Sequence, residues 1–293
     1  IQFRLFPPSQ FNQPIFLLQS PQTRAVNVGF ISKNHGKRQF VPGRLHFGTM
    51  RMDDTFLAAV QSLSQTPIAQ IISRFRPGGI STITVMRETL SCNLPLALAR
   101  VGVSNHFGDA FIGASHIKGN GPIKTAYLYE NSEGLTPNGL WIIADSICVG
   151  RNLVSTMKSL LKKYTPKEIL FICPIASRLG INNVGAIITQ KKIPTTFVVW
   201  GALFGVDEKT LYDMPWGHTD TEPLDTRDQD TVVSIYGRDL CAGGDFGNNY
   251  YSPSLALALY REQLKIHHIT PKLPSFLRLE KIYSKGELFV RSV

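Results

Sequence analysis

Apolar positions along the chain fall into two alternating patterns. The runs 80–86, 140–144, 168–175 and 195–200 are short and almost continuously apolar or β-branched, as strands buried on both faces are. Between them apolar residues recur at helical spacing. Phe56, Leu57, Val60, Leu63, Ile68, Ile71 and Ile72 predict a helical stretch capped by Asp53 or Asp54 and broken at Pro67. Residues 94–101, 178–189 and 254–265 predict further helices, and 109–115 and 232–235 further strands. Strands alternating with helices predict an α/β fold, a central and mostly parallel sheet with helices on both faces.

The stretch 139–163 organises this series. Leu140, Trp141, Ile142, Ile143 and Ala144 lead into Asp145, a short loop follows through Gly150, and Leu153, Met157, Leu160 and Leu161 mark a helix. A carboxylate at a strand end, beside loop N–H groups and a helix N-terminus, can hold sugar hydroxyls and a phosphate together. A second notable stretch, 241–250, places Gly243, Gly244 and Gly247 around Asp245. Its glycines allow close approach of backbone to a ligand, and a tight turn between strand and helix would use them equally well.

The ends of the chain differ from this middle. Residues 1–45 hold Pro7, Pro8, Pro14 and Pro21 and the basic cluster Lys33, His35, Lys37, Arg38 and Arg44. They are expected to form an arm on the body or on a neighbouring subunit, with one short strand at 25–31. The body is expected to span 46–270, and a basic tail 271–293. Within the body, Asp207, Glu208, Asp213, Asp220, Glu222, Asp225, Asp228 and Asp230 crowd residues 201–231. No EF-hand spacing occurs among them, which predicts a solvated surface excursion, either a lid or an oligomer contact. His218 would be the residue to join these carboxylates around a cation.

The 293 residues, 43% of them apolar, suffice for one large core. No apolar run reaches the roughly 18 residues that cross a bilayer, so a soluble, cytoplasmic protein without a membrane partner is expected. Cys92, Cys148, Cys173 and Cys241 lack zinc-ligand spacing and read as reduced, mostly buried thiols. The formal net charge of +10 suits a phosphate-rich ligand, a nucleic acid, or simply a basic surface.

Taken together, these motifs resemble the uracil phosphoribosyltransferases of the type I phosphoribosyltransferase family, over residues from about Met50 to about Lys265. The segment 47–54, FGTMRMDD, is similar to the opening of the family's first helix. The segment 91–98, SCNLPLAL, stands at its arginine-alanine-glycine-leucine turn. FGDAFIGASH (107–116) resembles the strand ending near the pyrophosphate, and ADSICVGRNL (144–153) the pentose-phosphate loop. EILFICPIASRLG (168–180) resembles the next strand, and GDFGNN (244–249) the signature beside the uracil site.

The resemblance implies a small strand and loop hood, a homodimer, and Mg²⁺ arriving with phosphoribosyl pyrophosphate (PRPP). It places Asp145 on the ribose hydroxyls and Asp245 beside the base, as the catalytic pair. Ser146, Val149, Gly150, Arg151 and Asn152 would surround the 5′-phosphate. Ser91, Asn93 and His116 would lie near the pyrophosphate, and Ala242, Gly243, Gly244, Gly247 and Asn248 near the base.

The departures from the family thin out positive charge. Threonine-glycine-glycine of the phosphate loop becomes Gly150, Arg151 and Asn152, so that Arg151 either supplies a charged fork or fills the pocket. The arginine, alanine and glycine of the pyrophosphate turn become Ser91, Cys92 and Asn93, and the late aspartate and arginine become Asn248 and Asn249. Placed cations normally supply several kcal/mol to such a reaction. Three readings follow: a variant phosphoribosyltransferase of uracil type, a silent homologue that senses a nucleotide or serves as a subunit, and a nucleic-acid-binding protein on the same scaffold.

Overall fold

The computed structural model describes residues 1–34, 37–46, 48–86, 88–116, 123–130, 134–211 and 213–242. In chain order they form β1 (Gln2–Phe6), β2 (Ile15–Gln19), α1 (Pro21–Asn27), β3 (Gly29–Asn34), β4 (Lys37–Pro42), α2 (Gly48–Ser64), α3 (Thr66–Ser73), β5 (Ile80–Val85) and α4 (Leu94–Arg100). There follow β6 (Gly108–His116), β7 (Ile123–Glu130), β8 (Leu140–Ala144), α5 (Arg151–Lys163), β9 (Glu168–Cys173), β10 (Ala176–Ser177) and α6 (Arg178–Thr189). The last described elements are β11 (Thr195–Trp200), β12 (Ala202–Phe204), β13 (Glu222–Pro223) and α7 (Thr226–Tyr236).

One eight-stranded sheet runs β1-β2-β11-β9-β8-β5-β6-β7. Its inner strands are parallel, and β1 and β7 close the two edges antiparallel. Every residue of β5, β8, β9 and β11 is buried, which is why these strands read as continuous apolar runs. One face packs Trp141, Ile143, Phe171 and Phe197 against Leu153 and Met157 of α5 and Ile181 and Val184 of α6. The other packs Leu140, Ile142, Ile172 and Trp200 against Val26 of α1, Leu63 of α2, Ile68 of α3 and Leu98 of α4. The expected α/β architecture is therefore present. No helix of the described residues is long and apolar enough to cross a membrane.

Four expectations need correction. Residues 1–45, expected as an arm, supply two strands of the sheet. Ile15, Leu17 and Leu18 are fully buried because β2 pairs in parallel with β11, with Phe16 opposite Val198. The strand expected at 25–31 is instead the end of α1 and the start of β3. Ser20 caps α1 through Thr23, Pro21 occupies its first turn, and Asn27 Nδ2 donates to the carbonyls of Pro174 and Trp200 at 2.8 Å each.

The acidic segment is not a solvated excursion. β10, β12 and β13 form a small sheet, and Trp216 packs edge-on against Phe204 with 4.9 Å between ring centroids. These residues join the β3–β4 hairpin, α7 and Leu240 in a second apolar cluster. The strand expected at 232–235 lies inside α7, where Val232 and Tyr236 share one buried helical face. A run of four apolar residues does not by itself distinguish strand from helix. Strand β7 had no counterpart in the sequence reading.

Candidate functional site

Strand order changes direction between β8 and β5, since β8, β9 and β11 progress to one side and β5, β6 and β7 to the other. In open α/β sheets, ligands bind at the carboxyl ends of strands beside such a switch point. The turn after β5 and the loop after β8 both end there. Thr89 Oγ1 joins them, donating within 2.5 Å of the Val85 carbonyl and 3.1 Å of the Ala144 carbonyl.

Asp145 sits at the end of β8, buried to 8% exposure, with its N–H bonded to the Ile172 carbonyl at 3.3 Å. Its carboxylate lies near the fully buried Cys173, whose thiol is pushed well up, first by burial and then by that negative charge. Ser146 and Val149 are half-buried, and the chain turns at Gly150, with φ of +77°, to begin α5. Gly150, at the N-cap position, has no side chain with which to cap that N-terminus.

Two residues of α5 bear directly on this opening. Arg151 is exposed, so it does not fill the loop. Asn152 carries a buried Oδ1 with no hydrogen-bond partner. Such an atom calls for a missing partner, and half a turn of the amide would direct its NH₂ to an anion instead.

α6 holds the loop in shape from below. Ser177 Oγ accepts from Gly180 N at 2.8 Å and donates to the Cys148 carbonyl at 2.5 Å, while Asn183 Nδ2 donates to the Val149 carbonyl at 3.0 Å. Sequence reasoning missed Thr89, Ser177 and Asn183. Ser177 alone carried a local signal, a serine standing before an apolar helical run.

Ser91 belongs to a 3₁₀ turn over Glu88–Cys92. Asn93 takes the left-handed conformation, with φ of +41° and ψ of +59°, at the start of α4. Asparagine tolerates that region better than most residues, so the turn keeps a backbone shape that glycine would give. β6 ends at His116. Ala242 is buried, and its N–H bonds the Met214 carbonyl at 2.8 Å. Gly243, Gly244, Asp245, Gly247 and Asn248 lie outside the described residues, as do the expected helix 254–265 and the tail 271–293.

The acidic segment reaches the loop between β8 and α5. Cys148 Sγ donates to the Leu211 carbonyl at 3.8 Å. Burial pushes the Cys148 thiol up to about 12, with Asp213 adding to the shift, and the Cys241 thiol rises to about 12 for the same two reasons despite the opposing charge of Arg44. Asp213 thus lies close to both stretches singled out in the sequence. His218 Nδ1 accepts from Asp220 N at 3.1 Å. Among the described residues no group of histidines, cysteines or carboxylates has the geometry of a metal site.

No family model matches the chain, and no curated protein matches it. Solved structures do. A protein of Aquifex aeolicus is 16% identical, covering 55% of this chain and 79% of its own, with a TM-score of 0.39. The adenine phosphoribosyltransferase of Trypanosoma brucei is 15% identical over 67% of this chain and 87% of its own, with a TM-score of 0.39. The orotate phosphoribosyltransferase of Aeropyrum pernix is 15% identical over 65% and 92%, with a TM-score of 0.35. The named enzymes among these neighbours are phosphoribosyltransferases.

Proposed function

We propose that the protein binds a phosphoribosyl ligand, free or as a nucleotide, at the loop between β8 and α5. The observation that carries this reading is the placement of Asp145 at the switch point, followed by a left-handed Gly150 that begins α5 without a side chain of its own to cap it. In that arrangement Asp145 accepts from the ribose hydroxyls. The N–H groups from Gly150 to Leu153, with the dipole of α5, receive the 5′-phosphate, and Asn152 and Arg151 add side-chain donors. Ser146 and Val149 line the loop, and Ser91, Asn93 and His116 flank the neighbouring edge.

Transfer from PRPP to a pyrimidine-like base of uracil type is the finer form of this reading. A base nitrogen would form the bond to C1′, lose its proton, and release pyrophosphate. Mg²⁺ would arrive on the pyrophosphate and ribose of PRPP, supplying charge to the leaving group, with Asp145 and Asp245 as the aspartates nearest the sugar and base. The segment from Ala242 through Gly243, Gly244, Gly247 and Asn248 would pass beside the base. Since Ser91 and Asn93 stand where the family carries an arginine and a glycine, transfer is expected to be slow, by several powers of ten if two or three placed cations are missing.

Isothermal titration with PRPP and Mg²⁺, ribose 5-phosphate and uridine monophosphate tests the binding step. Heat with at least one of them, abolished in Asp145→Asn, is expected. Absence of heat with all three, or equal heat in the variant, would refute it.

A further inference from the structure

We propose that the sheet edge opposite the candidate site is a nucleic-acid-binding surface, which grips a phosphate backbone through Arg76, Lys162, Lys163, Lys167, Lys191 and Lys192. The inner strands begin there, at Ile80, Leu140, Glu168 and Thr195, and the turns that feed them lie side by side. Asn138 N bonds the Thr165 carbonyl at 2.9 Å, Lys167 N the Gly139 carbonyl at 2.8 Å, and Ile169 N the Pro194 carbonyl at 2.9 Å. A β-carbon on Gly139 would lie 2.3 Å from the Gly79 carbonyl, which brings the turn carrying Arg76 into the same row. Three strand spacings give the row a length of about 14 Å. Helices α5 and α6 follow parallel strands and run back to this edge, delivering Lys162 and Lys163 at the end of one and Lys191 and Lys192 just past the other.

All six side chains are exposed. None makes an ion pair with a described residue. The acids along this edge with described side chains are already engaged, Glu168 by Arg74 at 2.6 Å and Asp109 by His106 at 2.6 Å. Glu168 also feels the charge of Lys167, so this carboxylate offsets part of the field, and the six cations outnumber the acids described along the edge.

A solvated helix end accounts for only part of this. Lys162 and Lys163 complement the dipole of α5, but Arg76, Lys167, Lys191 and Lys192 stand outside helices. Lys192 also holds φ of +56°, a left-handed position that glycine or asparagine would occupy with less strain. A lysine retained there points to a use for its charge.

A polyphosphate backbone fits better than a lipid surface. None of the large exposed apolar side chains falls within 74–80, 137–140, 158–168 or 189–195, so the strip has nothing to embed in a bilayer. The surface is remote from Asp145, so this inference is independent of the phosphoribosyl reading.

The test is fluorescence anisotropy of a labelled single-stranded RNA against the full chain across a salt series. Binding is expected to weaken steeply with salt, by about 0.7 in log–log slope for each phosphate neutralised. Changing Lys162, Lys163, Lys191 and Lys192 together to Glu should raise Kd more than about tenfold, and changing them to Gln should raise it less; Tm should fall slightly in both, more with Glu, because Lys162 and Lys163 complement the dipole of α5. Lys192→Gly should weaken binding while raising Tm, two effects of opposite sense that general loss of structure would not produce. Asp145→Asn should leave the RNA isotherm unaltered. Equal affinity of the quadruple variant and the parent, an equal loss in Lys209→Glu, salt-independent binding, or tighter binding to phosphatidylserine vesicles that RNA does not displace would each overturn the proposal.

Discussion

The carbonyl oxygen of Cys148 lies 2.0 Å from the point where a β-carbon on Gly180 would stand. The loop between β8 and α5 and the first turn of α6 are thus in backbone contact, sealed by Ser177. Gly180→Ala is expected to push the loop off α6, destabilising the fold by about 1–3 kcal/mol as overpacking does. Urea denaturation measures the loss of stability, and titration with ribose 5-phosphate measures the weaker binding expected from a displaced loop. A variant with parental stability and affinity would show that the loop position does not depend on this contact.

Asn152 tests the anion reading from the other side. Asn152→Asp keeps the size of the side chain and adds a negative charge at the start of α5, beside the N–H groups proposed to receive a phosphate. The helix dipole favours a charge there, but the buried, unpartnered Oδ1 position desolvates it, so Tm should fall modestly. Affinity for ribose 5-phosphate should fall by at least about tenfold through like-charge repulsion. Unchanged affinity would place the phosphate elsewhere.

The link between α1 and α7 predicts an acid response with two opposed parts. Asp225 accepts from Arg227 and pairs with Arg24, which lowers its carboxyl to about 2. Its contribution to stability is present above the ordinary carboxylate value near 4 and is lost as pH falls toward 2. Asp228 is raised, chiefly by burial, although Arg24 lies 3.0 Å away and Gln19 also bonds it. Its ionised form therefore costs stability at neutral pH, and that cost is relieved as pH falls through its raised value. Thermal melts between neutral pH and pH about 2 should show Asp225→Asn with a flattened acid limb. Asp228→Asn should compare most favourably with the parent near neutrality and lose ground on acidification. Parallel melting profiles for the two variants would contradict this assignment.

Cys148 offers a direct probe of the acidic segment. Although half-exposed, its thiol is pushed up to about 12 by burial and by Asp213, so it should resist alkylation near pH 8. Asp213→Asn removes the negative charge and should speed labelling of Cys148, located by peptide mapping. If labelling is already fast in the parent, the loop over residues 207–213 does not shield it.

The elements most legible in the sequence were those whose environment is uniform. β8 is buried on both faces, and its five residues are all apolar. β2 is buried just as deeply, yet Pro14 and Pro21 flank it within a glutamine-rich stretch, and its partner β11 is remote in the chain. The acidic segment misled for a related reason. Asp225 and Asp228 look like solvated charges until Arg24, from the other end of the chain, is found between them. Asp145 and Gly150 were legible because the strand, turn and helix around them are contiguous. Thr89 and Asn183 act on that loop from separate elements, and no local pattern announces such a contact.

The pairing of β2 with β11 also sets an order of assembly. Ile15 to Leu18 are made before every other inner strand, but their hydrogen-bond partners at 197–200 come after all the rest. Loop closure over that span is slow compared with the local βαβ steps. On the ribosome the β2 segment must therefore wait, apolar and unpaired, while the centre of the sheet forms from β5 outward. The growing sheet in turn presents β11 as a raw edge until β2 docks. Closure of the inner sheet thus falls to the strand among them that was made earliest.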